Sequence, residues 1–147
     1  MADVHTPEIR SKNMRAIKAK NTKPELIVRK HLHSLGYRYK IGAKKFGFKP
    51  DIVLPKYRTV VFVHGCFWHR HEGCSLASIP KSNMEKWKAK FEANVLRDRR
   101  NIQIVLREKW TPVVIWECSV RNGSFRSTNF KECIGAGKRY DIPGKPS

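Results

Sequence analysis

The sequence predicts an α/β domain with a mixed central sheet flanked by helices, and three observations predict it. Two short apolar runs, Pro50-Asp-Ile-Val-Leu54 and Tyr57-Arg-Thr-Val-Val-Phe-Val-His64, are separated by Pro55-Lys56 and read as an antiparallel hairpin. Met84, Trp87, Phe91, Val95, Ile102, Val105 and Leu106 keep a period near 3.6 and predict a long helix. Val113-Val-Ile-Trp-Glu-Cys118 then reads as a buried strand. Strand, helix and strand form a right-handed crossover, which makes the two strands parallel.

The other elements follow in order. Residues 1–20 are polar and basic, with Met14, Ala16, Ile17 and Ala19 as the apolar members of 10–20, and suit an arm that orders on a partner. Thr22-Lys-Pro-Glu25 is a capping box with Pro in the first turn, and Val28, Leu32 and Leu35 mark an apolar helix face that Gly36 ends. Tyr37–Ile41 reads as a strand. Ser82-Asn-Met-Glu85 is a second capping box, opening the long helix, which Trp110-Thr-Pro112 closes. Residues 121–147 turn to Gly, Ser, Lys and Pro and predict a weakly ordered basic tail after a core domain at 21–120.

Composition narrows the function. Apolar residues at 40% and aromatics at 10% suit one globular domain of 147 residues. No apolar run approaches a membrane span and no signal-peptide core is present, so the expected location is the cytoplasm. Thirty-one Lys and Arg against 12 Asp and Glu give +19, spread along the chain; such a field favours a polyanion, and nucleic acid is the commonest.

The chemistry concentrates in Val63-His-Gly-Cys-Phe-Trp-His-Arg-His-Glu-Gly-Cys74, which holds three histidines and two of the four cysteines just past a strand. Parallel strands end at one sheet edge, so the crossover brings Cys118 toward Cys66. Cys66, His71, Cys74 and Cys118 then supply three thiolates and one imidazole, a structural zinc set with no open position. The competing reading is buried free cysteines beside a surface histidine. Cys133 is left free.

Removing those ligands leaves Asp51, His64 and His69 near the same edge, with Glu25 on a nearby helix. A hairpin carboxylate preceded by Pro, with imidazoles on the next strand, is similar to metal-dependent nucleases. The chain as a whole resembles the very short patch repair (Vsr) endonucleases. The matching stretches are Arg10-Ser-Lys-Asn-Met-Arg-Ala-Ile17, Pro50-Asp51, Val63-His-Gly-Cys-Phe-Trp-His69, Asn94-Val-Leu-Arg-Asp-Arg-Arg100 and Val114-Ile-Trp-Glu-Cys118.

The resemblance implies a restriction-endonuclease-like fold with one structural zinc. It also implies a Mg²⁺-dependent nick 5′ to the T of a T:G mismatch, the lesion left when 5-methylcytosine deaminates. By the same resemblance Asp51 and the Val63 carbonyl hold Mg²⁺, His69 is the general base, His64 assists at the phosphate, and Glu25 holds the hydrated metal or orients His69. Val63 replaces the Thr often found there, which spares a main-chain ligand and removes a hydroxyl. Phe67, Trp68 and Trp87 match aromatics that wedge beside the mismatch from the major groove, and Met14 a wedge from the minor groove. The implied partner is mismatched double-stranded DNA on the bacterial nucleoid, bound by a monomer, with mismatch-repair proteins and a DNA polymerase acting downstream.

Plainer readings stand beside these. Glu25 completes a capping box, Trp87 is in phase with Phe91 and Val95 and suits a core, and His64 suits a hydrogen-bonded strand end. Two other functions use the same charge, zinc and aromatics: a non-catalytic nucleic-acid-binding module, and a non-specific nuclease of the same fold.

Overall fold

The structure, a computed structural model, describes residues 22–41, 45–71, 74, 77 and 82–143. The N-terminal arm and Met14 lie outside the described residues.

Helix α1 (Lys23–Ser34) buries Val28 and Leu32, and Gly36 at φ 95° ends it in the left-handed conformation that suits a residue without Cβ. Leu35 lies beyond the last helical residue and is exposed rather than part of the apolar face. The predicted capping box is not formed: Thr22 makes no side-chain cap bond, and Glu25 accepts from Arg29 at 3.1 Å. Glu25 is itself buried, and a cation one turn along the same face compensates its charge better than a backbone amide would.

Strand β1 (Ile52–Leu54) pairs antiparallel with β2 (Thr59–His64) in the register Ile52↔Val61. The connection is a 3₁₀ turn, Pro55–Tyr57, closed by Arg58 at φ 48°. Tyr37–Ile41, expected as a strand, contributes one bridge, Lys40↔Val53. Helix α2 (Met84–Arg107) opens from Asn83 at φ 55° without a side-chain cap, so the second capping box is also absent. Strand β3 (Thr111–Trp116) runs parallel to β2 from Thr59↔Thr111 to His64↔Trp116, as the crossover predicts. It stops two residues earlier than expected, and Cys118 sits in helix α3 (Glu117–Arg121).

The segment after residue 121 departs from the expected weakly ordered tail. It forms a 3₁₀ turn (Ser124–Ser127), helix α4 (Phe130–Cys133) and strand β4 (Tyr140–Ile142), which pairs parallel with β3. Dispersed apolar residues hold it: Phe125, Phe130, Ile134 and Ile142 are buried against the sheet. The buried hydroxyls of Thr59 and Thr111 accept from the Gly135 and Gly137 amides at 2.9 and 2.7 Å. A segment can be glycine-rich and still fold when its few apolar side chains each find the core.

The sheet order is β1-β2-β3-β4. Side chains alternate across it. Ile52, Leu54, Val61, Val113 and Ile115 pack with α1 and the C-terminal segment, while Val53, Val60, Phe62, Val114 and Trp116 pack with Ile102 and Val105 of α2. The loop after β2 therefore emerges at one sheet edge with α2 beside it. No helix among the described residues is long and apolar enough to cross a membrane.

Candidate active site and metal centre

The loop after β2 folds back at once, because the amides of His69 and His71 donate to the carbonyls of Gly65 and Cys66, each at 3.0 Å. Arg70 sits between them at φ 53°, a left-handed conformation uncommon for a residue with Cβ. The Arg70 side chain donates to the Phe67 carbonyl at 3.1 Å and to the Ala77 carbonyl, and its guanidinium lies 4.1 Å from the centre of the Phe91 ring. Cation, carbonyls and ring together hold the strained turn.

The reversal sorts the loop into two clusters. Cys66, His71, Cys74 and Cys118 bring one ligand atom each to within 4.8 Å of one another. His71 Nδ1 is 3.5 Å from the sulfurs of both Cys66 and Cys118. Around a tetrahedral zinc with ordinary Zn–S and Zn–N bonds, S and N ligands are about 3.6 Å apart, so the set fits such an ion. Burial pushes the Cys66 and Cys118 thiols above their usual range, and a bound cation would reverse that preference. The parallel pairing of β2 and β3 is what delivers Cys118 to Cys66; the Cys118 amide donates to the Cys66 sulfur at 3.3 Å.

The second cluster faces α2. His69 Nδ1 lies 2.6 Å from Asp98 Oδ2, and His64 Nε2 lies 3.9 Å from Asp98 Oδ1. The two imidazoles stack, with centroids 4.0 Å apart and planes 3° from parallel. His64 is 4% exposed, and burial, with the neighbouring charges of His69 and Arg139, holds it well below the usual histidine range. It is therefore a neutral ring at pH 7. A carboxylate on Nδ1 of His69 fixes the proton there and leaves Nε2 as the basic nitrogen. His64, His69 and Asp98 also present ligand atoms within 4.8 Å of one another.

Asp51 approaches from the hairpin. Its Oδ2 accepts from the Val63 amide at 2.8 Å, as the hairpin register predicts. Burial pushes its carboxyl up to about 7; the Val63 amide opposes this, Glu25 adds to it, and His69 and Arg29 oppose it. Glu25 and His69 are thus both near enough for their charges to act on Asp51. A carboxylate held reluctantly in its charged form gains from a cation.

Beside these lies an aromatic platform. Phe67 packs on Phe91 at 5.1 Å and on Trp87 at 5.5 Å, and Trp68 lies 5.2 Å from Phe67 and 5.6 Å from Trp87. Phe91 is buried as its base, whereas Phe67, Trp68 and Trp87 stay partly exposed. Trp87 thus serves neither core nor solvent alone. Asn94 on the same helix face donates to the Trp68 carbonyl at 3.2 Å and ties the platform to α2.

Asp98 and Asn94 stand in the matching stretch Asn94–Arg100, but the sequence reading assigns neither of them a role. The signal was present: Phe91, Val95, Asp98 and Ile102 recur at helical spacing, and an acidic residue in phase with an apolar stripe needs a partner.

Fold and site together define a class: a strongly basic α/β protein whose sheet edge carries a carboxylate, a carboxylate-polarised imidazole and a separate Cys₃His clip. Comparison with known proteins gives that class a family. The family model described as DNA mismatch endonuclease Vsr matches residues 2–75, half of the chain. The type II nicking enzyme V.XorIIP of Xanthomonas oryzae pv. oryzae is 45% identical over 120 residues, covering 82% of this chain and 88% of the relative. The type II nicking enzyme V.NmeAIP of Neisseria meningitidis is 45% identical over 122 residues, covering 83% and 86%. The DNA mismatch endonuclease Vsr of Escherichia coli is 40% identical over 121 residues, covering 82% and 77%. The chain belongs to the Vsr DNA mismatch endonuclease family, and it is a DNA endonuclease, a phosphodiester hydrolase.

Proposed function

We propose that this endonuclease nicks one strand of duplex DNA 5′ to the T of a T:G mismatch, in a Mg²⁺-dependent reaction that starts repair of deaminated 5-methylcytosine. The observation that carries the reading is the 2.6 Å pairing of His69 Nδ1 with Asp98, together with a half-buried Asp51 just before β1 that accepts from the Val63 amide. A module that only binds DNA gains nothing from a polarised imidazole and a carboxylate set against a phosphate.

Each residue has a part. Asp51 and the Val63 carbonyl hold the Mg²⁺, which when bound supplies Lewis-acid stabilisation of charge on the phosphate oxygens. His69 takes a proton from the attacking water at Nε2, and Asp98 stabilises the imidazolium that results. His64, neutral and stacked on His69, is placed to hydrogen-bond at the phosphate. Glu25, buried and paired with Arg29, helps hold the hydrated metal at Asp51.

Phe67, Trp68 and Trp87 stack beside the mismatch, and Met14 enters from the opposite groove. A mispaired step costs less to unstack, so opening it contributes to discrimination. The Cys₃His set is a zinc site that keeps the glycine-containing loop in shape. Nicking an asymmetric lesion requires one active site, which suits a monomer acting on the nucleoid in the cytoplasm ahead of mismatch-repair proteins and a DNA polymerase. The tight β2–α2–β3 crossover with its carboxylate-bearing hairpin suits a restriction-endonuclease-like fold.

The test is nicking of an end-labelled duplex carrying one T:G pair, beside its T:A match, with and without Mg²⁺ and with the zinc left in place. The reading expects a Mg²⁺-dependent cut 5′ to the mismatched T alone. Equal cutting of both duplexes would make the enzyme a non-specific nuclease, and tight binding without any cut would leave only a binding module.

A further inference from the structure

Trp116 lies between the two clusters and touches both. It ends β3 opposite His64 in the parallel ladder and is 6% exposed. Its ring stacks on the His71 ring, with centroids 4.3 Å apart and planes 10° from parallel, and meets the His64 ring edge-on at 5.2 Å. One indole thus backs an imidazole of the Cys₃His clip and the buried imidazole of the catalytic pair.

A buried indole N–H needs an acceptor. Here it comes from the far end of the chain: Trp116 Nε1 donates to Asp141 Oδ2 at 3.1 Å. Asp141 stands on β4, the strand formed by the segment whose composition predicts little order. It is held in turn, because Arg139 Nε donates to its Oδ1 at 2.7 Å and Arg139 Nη2 to its Oδ2 at 3.1 Å. Asp141, Arg139 and Trp116 also line one cavity of about 290 Å³ with His64, His69 and Asp98.

We propose that Asp141 is a positioning residue for both centres: by fixing the Trp116 indole, it sets the His71 and His64 rings together and couples metal retention to catalytic geometry. The inference rests on reading the Cys₃His set as a metal clip and His69 as the base. Asp141 makes no hydrogen bond to His64, His69 or the four clip residues; its charge also reaches His71 directly, an effect that Asp141→Asn separates from the indole bond. The coupling follows from packing, because a buried ring stacked on His71 and in edge contact with His64 cannot rotate without displacing both.

The test compares Asp141→Asn, Asp141→Leu and Trp116→Phe in the full-length chain. Asn keeps an acceptor without the charge, Leu removes the acceptor, and Phe keeps a ring without the donor. Two readouts are taken: the rate at which bound metal passes to a chromogenic chelator, and kcat and KM for nicking the mismatched duplex. Asp141→Leu and Trp116→Phe are expected to speed metal release about five- to tenfold and to lower kcat about tenfold with KM within twofold. Asp141→Asn should stay within about threefold of wild type on both. Adding Asp141→Leu to Trp116→Phe should cost little more, as expected of residues acting through one bond.

Wild-type release and kcat in both Asp141→Leu and Trp116→Phe would overturn the proposal. So would an Asn variant as damaged as Leu, since the charge and not the indole bond would then be at work. If Asp141→Leu fails to fold, Trp116→Phe decides alone, because it leaves β4 unchanged. A wild-type protein that holds no metal would instead overturn the clip reading, and the coupling with it.

Discussion

The two clusters at the sheet edge use the same loop and do opposite things with it. The proposed clip draws on Cys66, His71 and Cys74, whereas the proposed catalytic pair draws on His64 and His69. Along the loop His64, Cys66, His69 and His71 alternate between them, and Cys74 adds to the clip. The clip closes on itself: four ligands of tetrahedral size, two sulfurs each 3.5 Å from one nitrogen, and no vacant position when a metal is bound. The histidine cluster, on the proposed reading, stays open: Asp98 holds His69 at Nδ1 and leaves Nε2 for the water. The contrast teaches how a small enzyme holds a strained active loop. On the proposed reading, cohesion falls to the sulfurs and leaves the neighbouring imidazoles for chemistry.

The comparison breaks most sharply at the chemistry. His69→Ala and Asp51→Ala should each lower nicking about 10³-fold or more while the protein still melts cooperatively and retains its tight metal. Single-turnover nicking beside circular-dichroism melts reads both properties at once. Cys118→Ser should do the reverse. It removes one thiolate from the clip, so metal stoichiometry and thermal stability fall together, and nicking is lost through the fold. Metal analysis before and after dialysis separates this variant from the first two.

Asp98→Asn sharpens the contrast on a smaller scale. An amide at this position holds His69 without stabilising its charged form, so kcat should fall about 10²-fold with KM nearly unchanged. A comparable rise in KM alone would mean that Asp98 serves binding.

A further prediction concerns pH. The Asp51 carboxyl titrates near 3.8 when the chain is unfolded and near 7 when folded without metal. The folded state therefore binds the extra proton, and the stability it contributes is present below about 4 and lost as pH rises through about 7. Asn does not titrate, so in Mg²⁺-free buffer Asp51→Asn should gain stability relative to wild type from pH 4 to pH 7 and plateau above. Melting temperatures across that range test the sign, and saturating Mg²⁺ should shrink the gap at high pH. The smallest effect expected is at the platform. Trp87→Ala should leave chemistry on a bound mismatch intact and lower discrimination against matched DNA by about tenfold.

Much of this was legible in the residues, and the failures have physical causes. The hairpin, the crossover and the gathering of Cys66 with Cys118 follow from apolar runs and the handedness of strand connections, which act locally or by a strong rule. Asp51 beside Val63 follows from register alone. Both capping boxes misled, because Glu25 was needed against Arg29 and α2 starts from a left-handed Asn83. A capping motif records a local preference that a buried charge overrides. Strand β4 was illegible because three residues carry no periodicity, and Phe125 and Phe130 reach the core from a sequence that otherwise reads as a loop. The Trp116–Asp141 bond spans 25 positions and leaves no trace in spacing.

On this reading one sheet edge carries two separate sites with two separate jobs. Its most direct test is metal analysis of purified wild type and Asp51→Ala, run beside nicking of the T:G duplex with and without added Mg²⁺. One tightly held metal per chain is expected in both proteins, with a Mg²⁺-dependent nick from wild type only. Loss of the tight metal in Asp51→Ala, or unimpaired nicking by that variant, would contradict it.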